Sequence, residues 1–130
     1  MRLLISSFGK RQPLLFLSMA KQKQKNSFEK IYQVIQNIPN GKICTYGIVA
    51  RMAGLGSDGR MVSYALHSLS ENSPVPWHRV INRFGKISWS ISRNGHDQIQ
   101  YDLLKQEGIV FAADGSIDFK KFLWTGNDFE

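Results

Sequence analysis

Phe28, Ile31, Tyr32, Ile35 and Ile38 recur at spacings of three and four, and together they describe one apolar stripe of a helix. Asn26 offers a side chain to cap that helix, Glu29 follows three residues on as in a capping box, and Pro39-Asn40-Gly41 ends it. A short extended piece, Lys42-Ile43-Cys44, leads to Thr45, an N-cap for a second helix over about Tyr46 to Ala53. Gly54 supplies its stop. A third helix, about Arg60 to Leu69, buries Val62, Ala65, Leu66 and Leu69 and leaves Arg60, Ser63, Tyr64 and His67 on the opposite face. Two short helices joined by the turn Leu55–Gly59, the second with a polar face, match a helix-turn-helix, in which one face anchors and the other is free to enter a groove. An ordinary helical hairpin fits the same pattern.

Ser70 to Pro76 reads as a loop. Val80-Ile81-Asn82 and Ile87-Ser88-Trp89 flank Phe84-Gly85 and predict a small hairpin. Asp97 to Glu107 has a helical pattern stopped by Gly108. Ile109-Val110-Phe111 and Ile117-Asp118-Phe119, around Asp114-Gly115, predict a second hairpin, and a tail carries Phe122, Leu123 and Trp124. The expected fold is α+β, a winged-helix-like domain with a helix-turn-helix and small β hairpins.

Residues 1–25 fall outside this pattern. Their basic start, the apolar patch Leu14-Leu15-Phe16-Leu17 and small residues near Ala20 loosely imitate a secretory signal. The patch is short, however, and Lys10, Arg11 and Pro13 interrupt it, while Met19 opens a stretch that reads like an ordinary translation start. The expectation is a flexible basic extension over residues 1–25 and a DNA-binding domain over residues 26–130.

With 130 residues, 42% of them hydrophobic, the chain is long enough for one buried core and too apolar to be wholly disordered. No apolar run approaches the ~20 residues of a membrane span, and no membrane partner is expected. The expected location is cytoplasmic and the expected state a monomer. Cys44 is the only cysteine, which excludes an internal disulfide and a multi-cysteine zinc site. With only His67, His78 and His96 beside it, neither a metal nor a cofactor is expected. The net charge of +7 is unevenly spread: residues 1–25 carry +6, residues 26–96 carry +5 and residues 97–130 carry −4. Such asymmetry suits a protein that lays one face on a polyanion, and it is equally what a solvated surface would show.

The most informative stretch is Pro76-Trp77-His78-Arg79-Val80-Ile81. Together with IPNGKICTYGIVARMAG at residues 38–54, Arg60, and LLKQEG at residues 103–108, it resembles the O6-alkylguanine-DNA alkyltransferase family, from about residue 28 to 110. The family's hallmark is a cysteine between the proline and the histidine, whose thiolate accepts the alkyl group from a flipped-out guanine. The histidine, polarised by a glutamate, draws off the thiol proton through water. By the resemblance His78 and Glu107 match these helpers, but Trp77 occupies the nucleophile's position. An indole has one N–H donor and no ionisable thiol, so it cannot take the alkyl group. In that replacement the chain looks like the alkyltransferase-like proteins, whose implied activity is recognition. They bind duplex DNA containing O6-alkylguanine, flip the base, and pass the lesion to nucleotide-excision-repair damage-recognition proteins. Leu69 also stands near where the active enzymes carry an asparagine.

The resemblance implies roles for individual residues. Arg60 matches the arginine finger that fills the space left by the extruded base, a task suited to a guanidinium, which stacks and hydrogen-bonds at once. Tyr46 matches a tyrosine that presses on the flipped nucleotide's phosphate, although a tyrosine packed between helices fits the same position. Trp77 would line the lesion pocket with His78 and Arg79, the latter bracing the site. His78 keeps its pairing with Glu107 without its proton-transfer duty. Residues 83–95 correspond to the lesion-binding loop, with Ser88, Trp89 and Ser90 as pocket candidates. Ser90 matches a position where some relatives carry an arginine, and Trp89 or Arg93 are candidates to replace it. Trp89 could equally be a hairpin core residue. Phosphate contacts are expected from Ser63, Tyr64, His67, Thr45, Lys42, Arg51 and backbone amides at helix starts. The family reads the minor groove, so little sequence preference and a marked salt dependence are expected.

Two other readings remain. One is residual alkyl transfer by Cys44, although no histidine lies beside it in sequence and a small buried hydrophobe is its ordinary role. The other is a winged-helix transcription regulator, which would bind a particular undamaged sequence tightly.

Overall fold

A computed structural model describes residues 2–89 and 95–126 of the chain, with side chains from residue 15 onward. Its first element is a long helix, α1 (Arg2–Gln36). Ile31, Ile35 and Ile38, the apolar stripe, are buried against α2 (Tyr46–Met52) and α3 (Arg60–His67). The Tyr32 hydroxyl donates to the Ala65 carbonyl at 2.6 Å and ties α1 to the second half of α3. Asn26 is not a helix start, as the capping pattern predicts, but lies within α1 and accepts a hydrogen bond from Gln22 one turn earlier. The reason is composition: the Leu, Met, Ala, Lys and Gln residues of 14–25 favour helix, and no glycine or proline among them halts its propagation. The side chains from Leu15 to Asn26 are nevertheless exposed, and the packed part of α1 begins near Phe28.

The sheet differs from the expected hairpins. Strand β1 (Cys44–Thr45) pairs in parallel with β2 (Val80–Ile81), with Cys44 opposite Val80 and Thr45 opposite Ile81. No ladder links Val80-Ile81 to Ile87–Trp89; instead Asn82 closes a tight turn, its Oδ1 accepting from the Phe84 and Lys86 amides at 3.0 and 3.1 Å. Val80 and Ile81 are both buried, which suits a strand covered on two faces better than one in a half-exposed hairpin. The second predicted hairpin shrinks to a single antiparallel bridge between Phe111 and Ile117. There Asp118 caps a short helix, α5 (Phe119–Phe122), by accepting from the Lys120 amide, and so turns the chain away from a strand.

The remaining helix is α4 (His96–Gln106). The β pair divides the core because successive side chains along it point to opposite faces. Cys44 and Val80 join the cluster of α1, α2 and α3, while Ile43 and Ile81 join Ile87, Leu104, Ile109, Ile117 and Phe122. The protein is thus an α+β domain: a helical unit and a second, smaller core held together by two short parallel strands. Among the described residues no helix is long and apolar enough to cross a membrane.

Candidate functional site

The segment Trp77-His78-Arg79 forms one 3-10 turn directly before β2. A buried amide fixes it: Gln100 on α4, only 1% exposed, donates from Nε2 to the carbonyls of His78 (3.1 Å) and Val80 (2.9 Å). Sequence reasoning misses Gln100, since a glutamine in a polar helix carries no sign that it will be buried.

Glu107, just past the end of α4, is the hub of the site. Its carboxylate accepts from His78 Nε2 at 2.5 Å, from Arg79 Nε and Nη2 at 3.0 and 2.9 Å, and from the Gly41 amide at 3.1 Å. Arg79 Nη1 donates in addition to the Ile38 carbonyl at 2.8 Å, where α1 has ended. Gly41 stands at a φ of +83°, and a Cβ there would come 3.3 Å from the Glu107 carbonyl, so turn geometry and close approach both favour glycine. Burial by itself pushes the Glu107 carboxyl up. The hydrogen bonds from Arg79, His78 and Gly41, with the charge of His78, outweigh it and hold the group below the ordinary carboxylate range.

Trp77 is half-buried, with its indole edge-on to His78 on one side and to His96 on the other, ring centroids 6.2 and 6.0 Å away. His96, the first residue of α4, had no signal in the sequence beyond following a glycine. Trp89 is 58% exposed and belongs to an aromatic row: it lies 6.2 Å from Tyr101, which packs edge-on against Phe111. Ser88 is exposed and accepts from Asn82 Nδ2 at 3.3 Å. Ser90 and Arg93 lie outside the described residues.

A second group of candidates gathers at two helix N-termini. Thr45 is buried and its hydroxyl caps α2 by accepting from the Ile48 amide at 3.2 Å, which sets Tyr46 as the first helical residue. Arg60 is the first residue of α3. Gly59 separates them: a Cβ on it would stand 2.5 Å from the Tyr46 Cβ, so the two helix starts approach this closely only because residue 59 is glycine. Arg60 is 80% exposed and its guanidinium is gripped by the Asp58 carboxylate at 2.7–3.2 Å. Along α3, Tyr64 and His67 are exposed and Ser63 is partly so, while His67 Nδ1 folds back onto the Ser63 carbonyl at 2.7 Å. Arg51 is exposed on the last turn of α2. Lys42 donates to the Lys121 carbonyl at 3.2 Å and is drawn towards α5.

Cys44 lies inside the helical core, fully buried, and burial pushes its thiol up to about 12. It therefore stays protonated at neutral pH, the opposite of an activated nucleophile.

Residues 26–109 match the model of a known family, described as the 6-O-methylguanine DNA methyltransferase DNA-binding domain. The chain is 39% identical over 106 residues to a DNA base-flipping protein of Escherichia coli, covering 80% of this chain and 79% of that one. It is 43% identical over 101 residues to alkyltransferase-like protein 1 of Schizosaccharomyces pombe, covering 75% of this chain and 93% of that one. Among solved structures it is similar to S. pombe Atl1 in complex with damaged DNA containing O6-carboxymethylguanine. That match has a TM-score of 0.68 at 35% identity, and it covers 77% of this chain and 95% of that one.

Proposed function

The chain belongs to the 6-O-methylguanine DNA methyltransferase family through its DNA-binding domain, and from that premise we propose that it is a non-enzymatic sensor of O6-alkylguanine in duplex DNA. It binds the damaged duplex and turns the lesion out of the stack. The observation that carries this reading is the intact His78–Glu107–Arg79 network beside the indole of Trp77, the residue that the motif resemblance aligns with a transferase's nucleophilic thiol. The chain's one cysteine is protonated and sealed in the helical core. A site so equipped holds a base without taking its alkyl group.

Extruding a base costs a few kcal/mol, least for a damaged one, and the two helix starts supply the means. Arg60 enters the vacated space, where its planar guanidinium stacks and bonds the orphaned partner base. Tyr46, held beside it by the Gly59 contact, turns the phosphate of the extruded nucleotide. Trp77, braced through Arg79 and Gln100, lines the pocket and presents its face to the guanine or its substituent. Ser63, Tyr64, His67 and Arg51 contact phosphates. Because the lesion survives binding, another system must remove it, and hand-over to nucleotide-excision-repair recognition proteins completes the function.

The experiment is a competition between duplexes bearing guanine and O6-methylguanine, scored together with transfer of a labelled methyl group. Reversible preference for the lesion with no label on the protein is expected. Labelled protein, or indifference to the lesion, overturns the reading.

A further inference from the structure

We propose that Asp58 is a latch that keeps the Arg60 guanidinium neutralised while the protein scans undamaged DNA, and that it opens when the side chain enters the duplex. The inference rests on the base-filling role given to Arg60 above. Asp58 grips that side chain through three contacts: Nε to Oδ1 at 3.2 Å, Nε to Oδ2 at 3.0 Å and Nη2 to Oδ2 at 2.7 Å. The carboxylate is itself anchored, because Oδ1 also accepts from the Arg60 backbone amide at 3.0 Å. It is therefore not a drifting counter-ion but a fixed feature of the turn before α3.

The position explains the pairing. A helix N-terminus favours an anion and disfavours a cation, so Asp58 compensates the placement of Arg60 there. The same hydrogen bonds, those of the Arg60 side chain first, hold the Asp58 carboxyl below its ordinary range, so it is ionised at neutral pH. Arg60 and Asp58 are 80% and 57% exposed, and ion pairs of this kind are weak in water. Weakness is what a latch requires: closed, the pair offers DNA no net charge, and a modest gain elsewhere opens it. While it is closed, the Arg60 cation does not add to sequence-independent attraction for phosphates.

Asp58→Asn is the informative change, because the amide oxygen still accepts from the Arg60 N–H while the charge is lost. Binding to an unmodified duplex is measured across a salt series for the full chain, D58N, R60A and the double variant. D58N is expected to tighten binding about threefold and to steepen the salt slope by about one phosphate contact. Both gains vanish when residue 60 is already alanine. No gain, or an equal gain in both backgrounds, overturns the latch, the latter by showing simple repulsion between Asp58 and phosphate. A DNA-free readout separates this failure from that of the functional reading: by NMR titration the Asp58 carboxyl rises towards its ordinary value in R60A. An unmoved titration overturns the latch even where R60A loses lesion binding. R60A that keeps full lesion affinity removes the base-filling role and the opening step with it, while the titration still reports the ion pair.

Discussion

His78 Nε2 and Glu107 Oε2 stand 2.5 Å apart, and the indole of Trp77 lies edge-on to the same His78 ring. What the pair does here is mechanical. Glu107 joins the end of α4 to the Gly41 turn, and Arg79 joins the same carboxylate to the Ile38 carbonyl and the Trp77 turn. Three segments distant in sequence, the 38–41 turn, the 77–79 turn and the end of α4, are thereby joined through the Glu107 and Arg79 side chains.

Removing that hub is costly. Glu107→Gln leaves Arg79 and His78 facing each other without the anion that compensates them, in a site where all three side chains are at most 15% exposed. Breaking such a pair destabilises by roughly 3 kcal/mol, visible as an earlier urea midpoint. The pH dependence follows from the lowered Glu107 carboxyl. The unfolded chain takes up the proton first, so Glu107 stabilises fully above its ordinary value of 4.5, and that contribution is lost as pH falls through the folded value. The acid limb of the stability curve is expected to be shallower in Glu107→Gln; an unchanged limb would assign acid sensitivity to other carboxylates.

Cys44 offers a direct check on the proposed lack of alkyl transfer. Its buried thiol, pushed up to about 12, is expected to resist a thiol reagent at neutral pH in the folded protein and to react quickly once denatured. Cys44→Ala should leave lesion binding within about twofold of the parent, since its loss touches only core packing. Fast labelling of the native protein, or loss of binding in the variant, would return Cys44 to consideration as a reactive group.

The helical half of the fold was legible because its signals are local. The apolar stripe of α1, the Thr45 cap and the two faces of α3 are each written within a dozen residues. The sheet was not, because parallel pairing of Cys44-Thr45 with Val80-Ile81 joins segments 36 residues apart and leaves no alternating pattern in either. The same limit applies to the site. Motif resemblance singled out His78, Arg79 and Glu107, but Gln100, His96, Asp58 and the Gly41 amide enter through contacts that no spacing announces.

Trp77→Ala is expected to lower affinity for an O6-methylguanine duplex by about fivefold or more, in line with roughly 1–3 kcal/mol for stacking a base on an aromatic side chain. Affinity for the unmodified duplex changes little, because phosphate contacts carry that binding. Equal loss on both duplexes would mean that the variant had damaged the fold, which the urea midpoint reports separately.

Lys42 and Arg51 are separable by salt titration. Arg51 is exposed, so Arg51→Ala is expected to make the slope of log affinity against log salt shallower by ~0.9, one phosphate contact. Lys42 is already engaged by the Lys121 carbonyl, and Lys42→Ala should change the slope by less than half as much. Equal effects would show that Lys42 leaves its carbonyl partner for a phosphate in the complex.

The Gly59 contact makes the sharpest demand on geometry. A methyl group at residue 59 would stand 2.5 Å from the Tyr46 Cβ and 3.1 Å from its carbonyl carbon, and neither atom belongs to the flexible end of a side chain. Gly59→Ala must therefore move the start of α2 away from that of α3, at a cost of about 1–3 kcal/mol for overpacking. Tyr46 and Arg60 act on the same nucleotide step in the proposed mechanism, so a separation that leaves the core intact should still reduce lesion affinity about tenfold, since small misplacements of cooperating groups are costly. Fluorescence of 2-aminopurine at the target position checks it: the rise on binding that reports extrusion should be much reduced. A variant as able as its parent to extrude the base would show that the two helix starts act independently.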